Sequence, residues 1–280
     1  MLGINVIDYL DLYKKFTYTN QESYRLDHIA FVELGQRKVD HNEFENFKDF
    51  YTKDWQKFID YNIVDVELVS RLEEKMKLIE LAVALAYDAK VNMQDVYYQV
   101  RMWDTLIYNF LNKKSIVVPP GKRSDKDEKY AGAYVKEPIA GRYNWVVSFD
   151  LNSLYPHLIM QYNISPETLV EKRHPSATVN GLLSQKVEVP KEFCLCANGA
   201  MYRKDIHGFL PEMMKKIYDE RVQSKKLMIL AKQEYEKTPT KELEKSISKY
   251  NNIQMARKIQ LNSAYGAIGN QYFRYYNIIN

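Results

Sequence analysis

The sequence predicts an α+β protein, because helix-type and strand-type hydrophobic patterns both occur along its 280 residues. Long stretches carry apolar residues at helical spacing, and short apolar runs bounded by turn residues lie between them. Near the C-terminal end, two long helical patterns are separated only by Thr238 and Pro239. Two long helices joined by so short a break are expected to fold back on each other as an antiparallel hairpin.

The N-terminal part is predicted to be mainly helical after one short strand at residues 4–7. Residues 55–68 predict a helix, and the apolar positions of residues 66–85 predict a long amphipathic helix. Asn92 is the expected N-cap of a further helix. The polar segment 121–129 then predicts a linker or an exposed loop.

A predicted strand, a carboxylate and a turn follow one another in the middle of the chain. Residues 133–135 and 145–149 predict strands, and the second is expected to be buried because almost all its residues are apolar. Asp150 ends that strand, and Ser153 is the expected N-cap of the next helix. A carboxylate at a strand end can bind a metal ion, and free N–H groups at a helix start can bind phosphate. The pairing suggests nucleotide chemistry, although an Asp or Ser in this place also serves merely as a helix cap.

The C-terminal part is predicted to contain short strands and then the two long helices. Residues 170–210 predict short strands and turns, with Asn198-Gly199 as a hairpin signal. The first long helix is expected at residues 211–237. Thr238 is the expected cap of the second helix, with a proline at its first position.

Cationic side chains are predicted to line one side of this helical hairpin. Arg221 and Lys225 lie four residues apart and therefore share a helix face. Lys258, Asn262 and Tyr265 are spaced by four and three residues and share a face of the returning helix. If the two faces meet, they form a cationic pocket with an amide and an aromatic ring, which suits a nucleoside triphosphate. The alternative is that these are ordinary charges on solvated helix faces.

The composition is that of a globular protein with a basic segment. Net charge is +4, and residues 213–258 hold twelve Lys/Arg against six Asp/Glu, a balance of about +6 that suits a polyanionic partner. No apolar run reaches eighteen residues and the N-terminus lacks the features of a signal peptide, so no membrane partner is expected. Cys194 and Cys196 are expected to be buried thiols without a disulfide between them.

Four segments occur in an informative order: residues 61–65, 130–133, 150–156 and 258–266. The third, D-L-N-S-L-Y-P, resembles motif A of the family B DNA polymerases, and the similarity continues through Thr168 as in polymerases of T-even-like phages. The fourth fits motif B, K-x-x-x-N-S-x-Y-G. The first fits Y-x-x-x-D of the linked 3′–5′ exonuclease, and the second resembles the Y-x-G-G/A loop that contacts the template strand.

The resemblance implies a division into partial domains. Residues 1–77 would be the C-terminal part of an RNase H-like 3′–5′ exonuclease domain, and residues 78–121 would be connecting helices. Residues 122–207 would form the first part of a right-hand polymerase palm with a mixed or antiparallel sheet. Residues 208–270 would form the helical-hairpin fingers, and residues 271–280 would begin the return to the palm.

The resemblance also implies metal and exonuclease residues. Asp150, the Leu151 carbonyl and Asp65 are the implied metal ligands, for two Mg²⁺ ions at the polymerase site and for Mg²⁺ at the exonuclease site. Asp150, Asp65 and Tyr61 would be catalytic, and Tyr61 would orient the attacking water of the exonuclease. Tyr155 would lie beneath the sugar and select deoxyribose by excluding a 2′-OH.

The implied ligands are a dNTP and primer–template DNA, with a sliding clamp as a further partner, in the cytoplasm of an infected bacterium. The implied nucleotide-binding residues are Leu151, Ser153, Leu154, Tyr155, Arg221, Lys225, Lys258, Asn262 and Tyr265. The implied DNA contacts are Tyr130, Gly132 and Gly266.

The sequence contains neither motif C, Y-G-D-T-D-S, nor the first exonuclease motifs, so an internal fragment is expected. One aspartate cannot hold two hard cations that each take about six oxygen ligands. The isolated chain is therefore expected neither to extend nor to degrade primers. Two alternatives stay open: a nuclease centred on Tyr61 and Asp65, and a non-enzymatic nucleic-acid-binding module in which the helical hairpin holds a strand electrostatically.

Overall fold

The computed structural model describes residues 4–17, 19–121 and 137–277. This part of the chain is mostly helical, with one two-stranded sheet and an isolated β-bridge between Leu169 and Tyr202. Contacts divide it into two compact units. The first comprises the described residues up to Asp88 together with Asn92–Tyr97, and the second comprises Ala89–Val91 and the described residues from Tyr98 onward. Across the described ranges, no helix is both long and apolar enough to cross a membrane.

The first unit is built on one long helix. Helices α2 and α3 pack against α4, and an aromatic cluster around the fully buried Phe50 fills the space between α3 and α4. The elements are α1 (Tyr9–Phe16), α2 (Leu26–Leu34), α3 (Phe47–Lys53), α4 (Trp55–Met76), α5 (Leu78–Ala89) and a 3₁₀ helix (Met93–Tyr97).

Three local predictions for this unit need correction. The apolar pattern of residues 66–85 does not form one helix, because Lys77 adopts a left-handed conformation (φ 57°) that ends α4 before α5 begins. Asn92 precedes the 3₁₀ helix instead of capping the following α-helix. Residues 4–7 form no strand with any described residue, and the side chains of Ile4 and Val6 are exposed.

The second unit is organised around a core shared by four helices. Its elements are α6 (Gln99–Lys113), α7 (Leu154–Tyr162), α8 (Val179–Leu183), β1 (Phe193–Leu195), β2 (Met201–Arg203), α9 (Phe209–Lys237) and α10 (Lys241–Ile268). Trp103 and Ile107 of α6 pack with Ile159 of α7, Met214 of α9 and Leu261 of α10. The buried Trp103 Nε1 donates a hydrogen bond to Ser263 Oγ at 3.0 Å, so its polar atom is satisfied inside the core.

The predicted β-hairpin is confirmed. Strands β1 and β2 are antiparallel, with Cys194 opposite Tyr202, and Gly199 adopts the positive φ (84°) that the Asn198-Gly199 signal anticipates. Both cysteines are free thiols, each half-buried. Burial, with a smaller contribution from Cys194, raises the pKa of the Cys196 thiol to about 11.

The predicted antiparallel helical hairpin is also confirmed, with corrected ends. Helix α9 begins at Phe209, before the predicted start, and α10 packs along it. The cap of α10 is Thr240, whose Oγ1 accepts a hydrogen bond from Leu243 N at 3.2 Å. Thr238 instead ends α9, and Pro239 lies in the connection.

The predicted buried strand at residues 145–149 is wrong. The segment contains no strand, and the side chains of Trp145 and Phe149 are 98% and 91% exposed. A run of apolar residues favours burial, but a strand also needs a second strand to accept and donate its backbone hydrogen bonds. No described strand lies beside this segment. Residues 133–135, the other predicted strand of this region, lie outside the described residues.

Candidate nucleotide-binding site

The turn before α7 holds a backbone conformation that is uncommon for a residue with a side chain. Ser153, the N-cap residue of α7, lies in the left-handed region with φ 51°. Its carbonyl accepts a hydrogen bond from His157 N at 3.1 Å, which starts the helix. The position of the predicted cap is therefore confirmed, but the Ser153 hydroxyl does not cap α7 and is left to bind elsewhere.

The Ser153 hydroxyl is bound by an arginine of α9. Arg221 Nη1 donates a hydrogen bond to Ser153 Oγ at 3.2 Å. The Nε atom of the same guanidinium is buried and has no hydrogen-bond partner among the described residues. A planar cation is thus held at the turn that begins α7, with one buried donor that no described residue satisfies.

The same turn contacts α10 through two aromatic rings. Tyr155 stacks on Tyr265 with 4.4 Å between ring centroids and 14° between ring planes. Both residues are about two-fifths exposed, at 42% and 40%. The motif A turn therefore touches both long helices, one through a cation and the other through a ring.

The other predicted nucleotide-binding residues of the helical hairpin lie on the same two helices. Asn262 and Lys258 lie one and two turns before Tyr265 and therefore share its face of α10. Lys225 lies one turn beyond Arg221 on α9 and is exposed.

The predicted metal ligands do not make a complete site in the described part of the chain. Asp150 and Leu151 are exposed just before the Ser153 turn. Among the described residues there is no group of three or more His, Cys, Asp or Glu side chains that could hold a metal ion. Asp150 with the Leu151 carbonyl is compatible with part of a hard-cation site, but these two groups do not fit a pair of Mg²⁺ ions by themselves.

The predicted exonuclease residues Tyr61 and Asp65 lie in the first unit, on α4, and both are bound by a lysine. Lys38 Nζ lies 2.7 Å from Asp65 Oδ2 and hydrogen-bonds to the Tyr61 hydroxyl. Burial alone would lower the pKa of Lys38, but the hydrogen bonds to Asp65 and Tyr61 raise it above its usual value. The other carboxylate oxygen, Asp65 Oδ1, is buried and has no hydrogen-bond partner within the described ranges.

The sequence motifs identified Asp65 and the residues of the helical hairpin, but not the side chains that bind Asp65 or tie α10 to α9. Lys38 is distant in sequence from Asp65, and no local pattern marks it. Arg257 forms an ion pair with Glu220 at 2.7 Å that ties α10 to α9, also without a sequence signal. Tyr130 and Gly132, the predicted template contacts, lie outside the described residues. Gly266 lies exposed on α10, and a Cβ there would meet Gln99 Oε1 at 2.8 Å.

The family model for DNA polymerase family B matches residues 92–278, a stretch that contains the α7 turn and both long helices. This chain belongs to DNA polymerase family B. The matched stretch includes the residues that join the α7 turn to the two long helices, namely Ser153 with Arg221 and Tyr155 with Tyr265.

Phage polymerases resemble this family B chain over its whole length. It is 34% identical to the DNA-directed DNA polymerase of Escherichia phage RB69 over 322 aligned positions, covering 100% of the chain and 35% of the phage protein. It is 33% identical to the corresponding protein of Enterobacteria phage T4, covering 99% of the chain and 35% of that protein. The DNA polymerase of Pyrococcus glycovorans is 37% identical over 149 positions, or 53% of the chain. The chain thus spans about a third of the length of the two phage relatives.

Proposed function

We propose that this chain supplies the dNTP-binding surface of a template-directed DNA polymerase that adds nucleotides to a primer 3′-OH. The observation that carries the proposal is the contact of Arg221 with Ser153, at 3.2 Å. It joins the motif A turn to the cationic face of α9, where the triphosphate of an incoming nucleotide requires positive charge. In this proposal residues 122–207 belong to the palm, residues 208–270 are the fingers, and residues 1–77 belong to a 3′–5′ exonuclease domain.

The proposed roles follow from where each group lies. Arg221, Lys225 and Lys258 neutralise the triphosphate, and the backbone N–H groups of Ser153 and Leu154 at the start of α7 bind its oxygens. Tyr155 lies beneath the sugar. Asn262 and Tyr265, on the face of α10 that meets Tyr155, border the nascent base pair. Base choice then comes from pocket shape and template pairing.

Metal-dependent catalysis is part of the proposal, but the described residues supply only some of the metal ligands that it requires. Asp150 and the Leu151 carbonyl would contribute ligands to bound Mg²⁺, which would stabilise charge on the reacting oxygens. Because the described residues contain no group of three or more His, Cys, Asp or Glu side chains that could hold a metal ion, the purified chain should show neither primer extension nor primer degradation. Extension of a labelled primer by the chain, lost on Asp150→Asn, would contradict this expectation.

The proposed ligands are a dNTP and primer–template DNA, with a sliding clamp as a partner of the polymerase. The proposed location is the cytoplasm of an infected bacterium, by analogy with the phage relatives. A nuclease centred on Asp65 has less support, since Lys38 binds one carboxylate oxygen and no carboxylate cluster lies among the described residues.

The decisive experiment is calorimetric titration of the chain with a dNTP and Mg²⁺. Arg221→Ala should weaken binding about tenfold to a hundredfold, the scale of a lost charge-assisted hydrogen bond. Lys226→Ala removes an exposed charge from a different face of α9 and is the matched control. Equal effects of both substitutions would indicate diffuse electrostatics instead of a site. DNA binding without any nucleotide binding would favour a nucleic-acid-binding module.

A further inference from the structure

The first N–H groups of α9 are satisfied by side chains from a distant part of the sequence. Helices begin with four N–H groups that lack partners within the helix, and Gly208, the N-cap residue, has no side chain to offer. Gly208 N donates to Asn163 Oδ1 at 3.0 Å, and Phe209 N donates to Glu167 Oε1 at 2.6 Å. Leu210 N donates to Ser165 Oγ at 3.3 Å.

These three acceptors are tied to one another and to the chain leading into α9. Ser165 Oγ donates to Glu167 Oε2 at 2.6 Å. Asn163 Nδ2 donates to the carbonyls of Arg203 and Ile206, at 2.6 and 2.8 Å. Ser165 is fully buried, and a carboxylate at a helix N-terminus is favoured by the helix dipole. We refer to Asn163, Ser165 and Glu167 as the α9 anchor.

The α9 anchor requires a close approach of two backbones. A Cβ at Gly208 would lie 2.6 Å from Ser165 Cβ, a distance that packed atoms do not tolerate. The start of α9 therefore cannot shift along the anchor without breaking several hydrogen bonds together. Glycine is needed here for contact distance, since its φ of −67° is accessible to any residue.

The anchor lies at the opposite end of α7 from the nucleotide-binding turn. Asn163 is the C-cap of α7 and Ser153 is its N-cap. Along α9, Arg221 lies 12 residues beyond Phe209, or about 18 Å. Between the two ends, His157 and Tyr218 pack edge to face with 4.8 Å between centroids. Helices α7 and α9 are thus antiparallel, fixed at one end by the anchor and in contact at the other through Arg221.

We infer that Asn163, Ser165 and Glu167 are positioning residues for nucleotide binding. They fix the register and angle of α9 on α7, and through that geometry they hold Arg221 at the Ser153 turn. None of the three touches the proposed nucleotide site. The inference rests on the proposed function for its ligand, whereas the placement of α9 can be measured without any ligand.

The first test measures the placement of α9 directly. Spin labels are attached at Gln161→Cys on α7 and Lys226→Cys on α9, two exposed positions, in a Cys194→Ala/Cys196→Ala background. Pulsed electron–electron double resonance then measures the distance between them. Glu167→Ala should broaden or shift the distance distribution. Glu171→Ala, an exposed glutamate outside the anchor, should leave it unchanged. Glu167→Gln keeps an acceptor for Phe209 N and should restore most of the native distribution.

The second test measures dNTP affinity with Mg²⁺ by calorimetry. Glu167→Ala should weaken binding about tenfold, and it should add little to the loss already caused by Arg221→Ala, because both act through the same guanidinium. A general loss of stability would instead weaken both backgrounds equally. If Glu167→Ala fails to fold, as circular dichroism would show, Ser165→Ala serves as the milder variant.

The outcomes separate the two claims. Absence of dNTP binding by the unmodified chain would overturn the proposed function, and the spin-label distances would still decide whether the anchor places α9. An unchanged distance distribution in Glu167→Ala and Ser165→Ala would overturn the positioning role. Altered distances with unchanged affinity would likewise overturn the link between the anchor and the nucleotide.

Discussion

At the scale of single residues, the contacts that matter join positions far apart in the sequence. Ser153 and Arg221 are 68 residues apart, and the stacked rings of Tyr155 and Tyr265 are 110 residues apart. The motif letters identified these residues individually. They could not show that one donor of Arg221 is bound to Ser153 while another has no partner in the described part of the chain, since that depends on how α7 packs against α9.

Substitution of Tyr155 should change sugar preference. The ring lies on Tyr265 at the proposed sugar site, so Tyr155→Ala should reduce the preference for dNTP over rNTP about tenfold by removing the steric barrier. Tyr155→Phe keeps the ring and is the matched control. Competition binding of the two nucleotides to the chain provides the measurement. A preference that stays the same in Tyr155→Ala would refute the steric role.

The Cys196 thiol should be slow to react at neutral pH. Its pKa of about 11 lies above the ordinary value of 9.0, so the reactive thiolate is scarce until the pH approaches 11. Alkylation by iodoacetamide, followed by mass spectrometry from pH 7 to 10, should modify Cys196 far more slowly in the folded chain than in urea. The raised pKa also means that this thiol's contribution to stability is complete below about pH 9 and is lost as pH rises through 11. Equal rates in folded and unfolded chain would contradict the burial of this thiol.

At the scale of elements, the sequence predicted the turn and the helices, whose formation depends on neighbouring residues. The Asn198-Gly199 turn and the two long helices formed as expected, because turn geometry and helical periodicity are properties of neighbouring residues. The strand at residues 145–149 did not form, because a strand needs a partner that periodicity cannot supply. The anchor of α9 escaped prediction for a related reason: its acceptors come from 42 to 45 residues earlier.

The cap of α10 gives a test at this scale with a built-in control. Thr240→Ala removes the acceptor for Leu243 N and should destabilise the start of α10 by about 1 kcal/mol. Thr238→Ala, two residues earlier, removes no cap bond and should cost less than about 0.5 kcal/mol. Hydrogen exchange of the amides in the first turn of α10 is the measurement. Faster exchange in Thr238→Ala than in Thr240→Ala would show that the cap is misassigned.

At the scale of the whole molecule, a well-packed helical core coexists with an uncovered apolar segment. Trp103, Met214 and Leu261 are almost completely buried where α6, α9 and α10 meet. Residues 145–149, in contrast, expose large apolar side chains next to the proposed nucleotide site. Such a segment offers apolar area to other molecules.

The purified chain should therefore self-associate through this segment. Trp145→Ser/Phe149→Ser should increase the monomer fraction in sedimentation velocity experiments, because it removes two side chains that are more than nine-tenths exposed. Tyr87→Ser, which changes a similarly exposed ring in the first unit, is the control and should have little effect. A chain that is already monomeric at high concentration would contradict the expectation.

The unpaired Nε of Arg221 has a thermodynamic consequence. A buried donor without an acceptor costs roughly 1–3 kcal/mol, and none of the described residues accepts a hydrogen bond from this atom. Any oxyanion that reaches it removes that cost and adds its own attraction. Saturating triphosphate should accordingly raise the melting temperature of the chain. The rise should be smaller in Arg221→Lys, because lysine keeps the positive charge but lacks this donor.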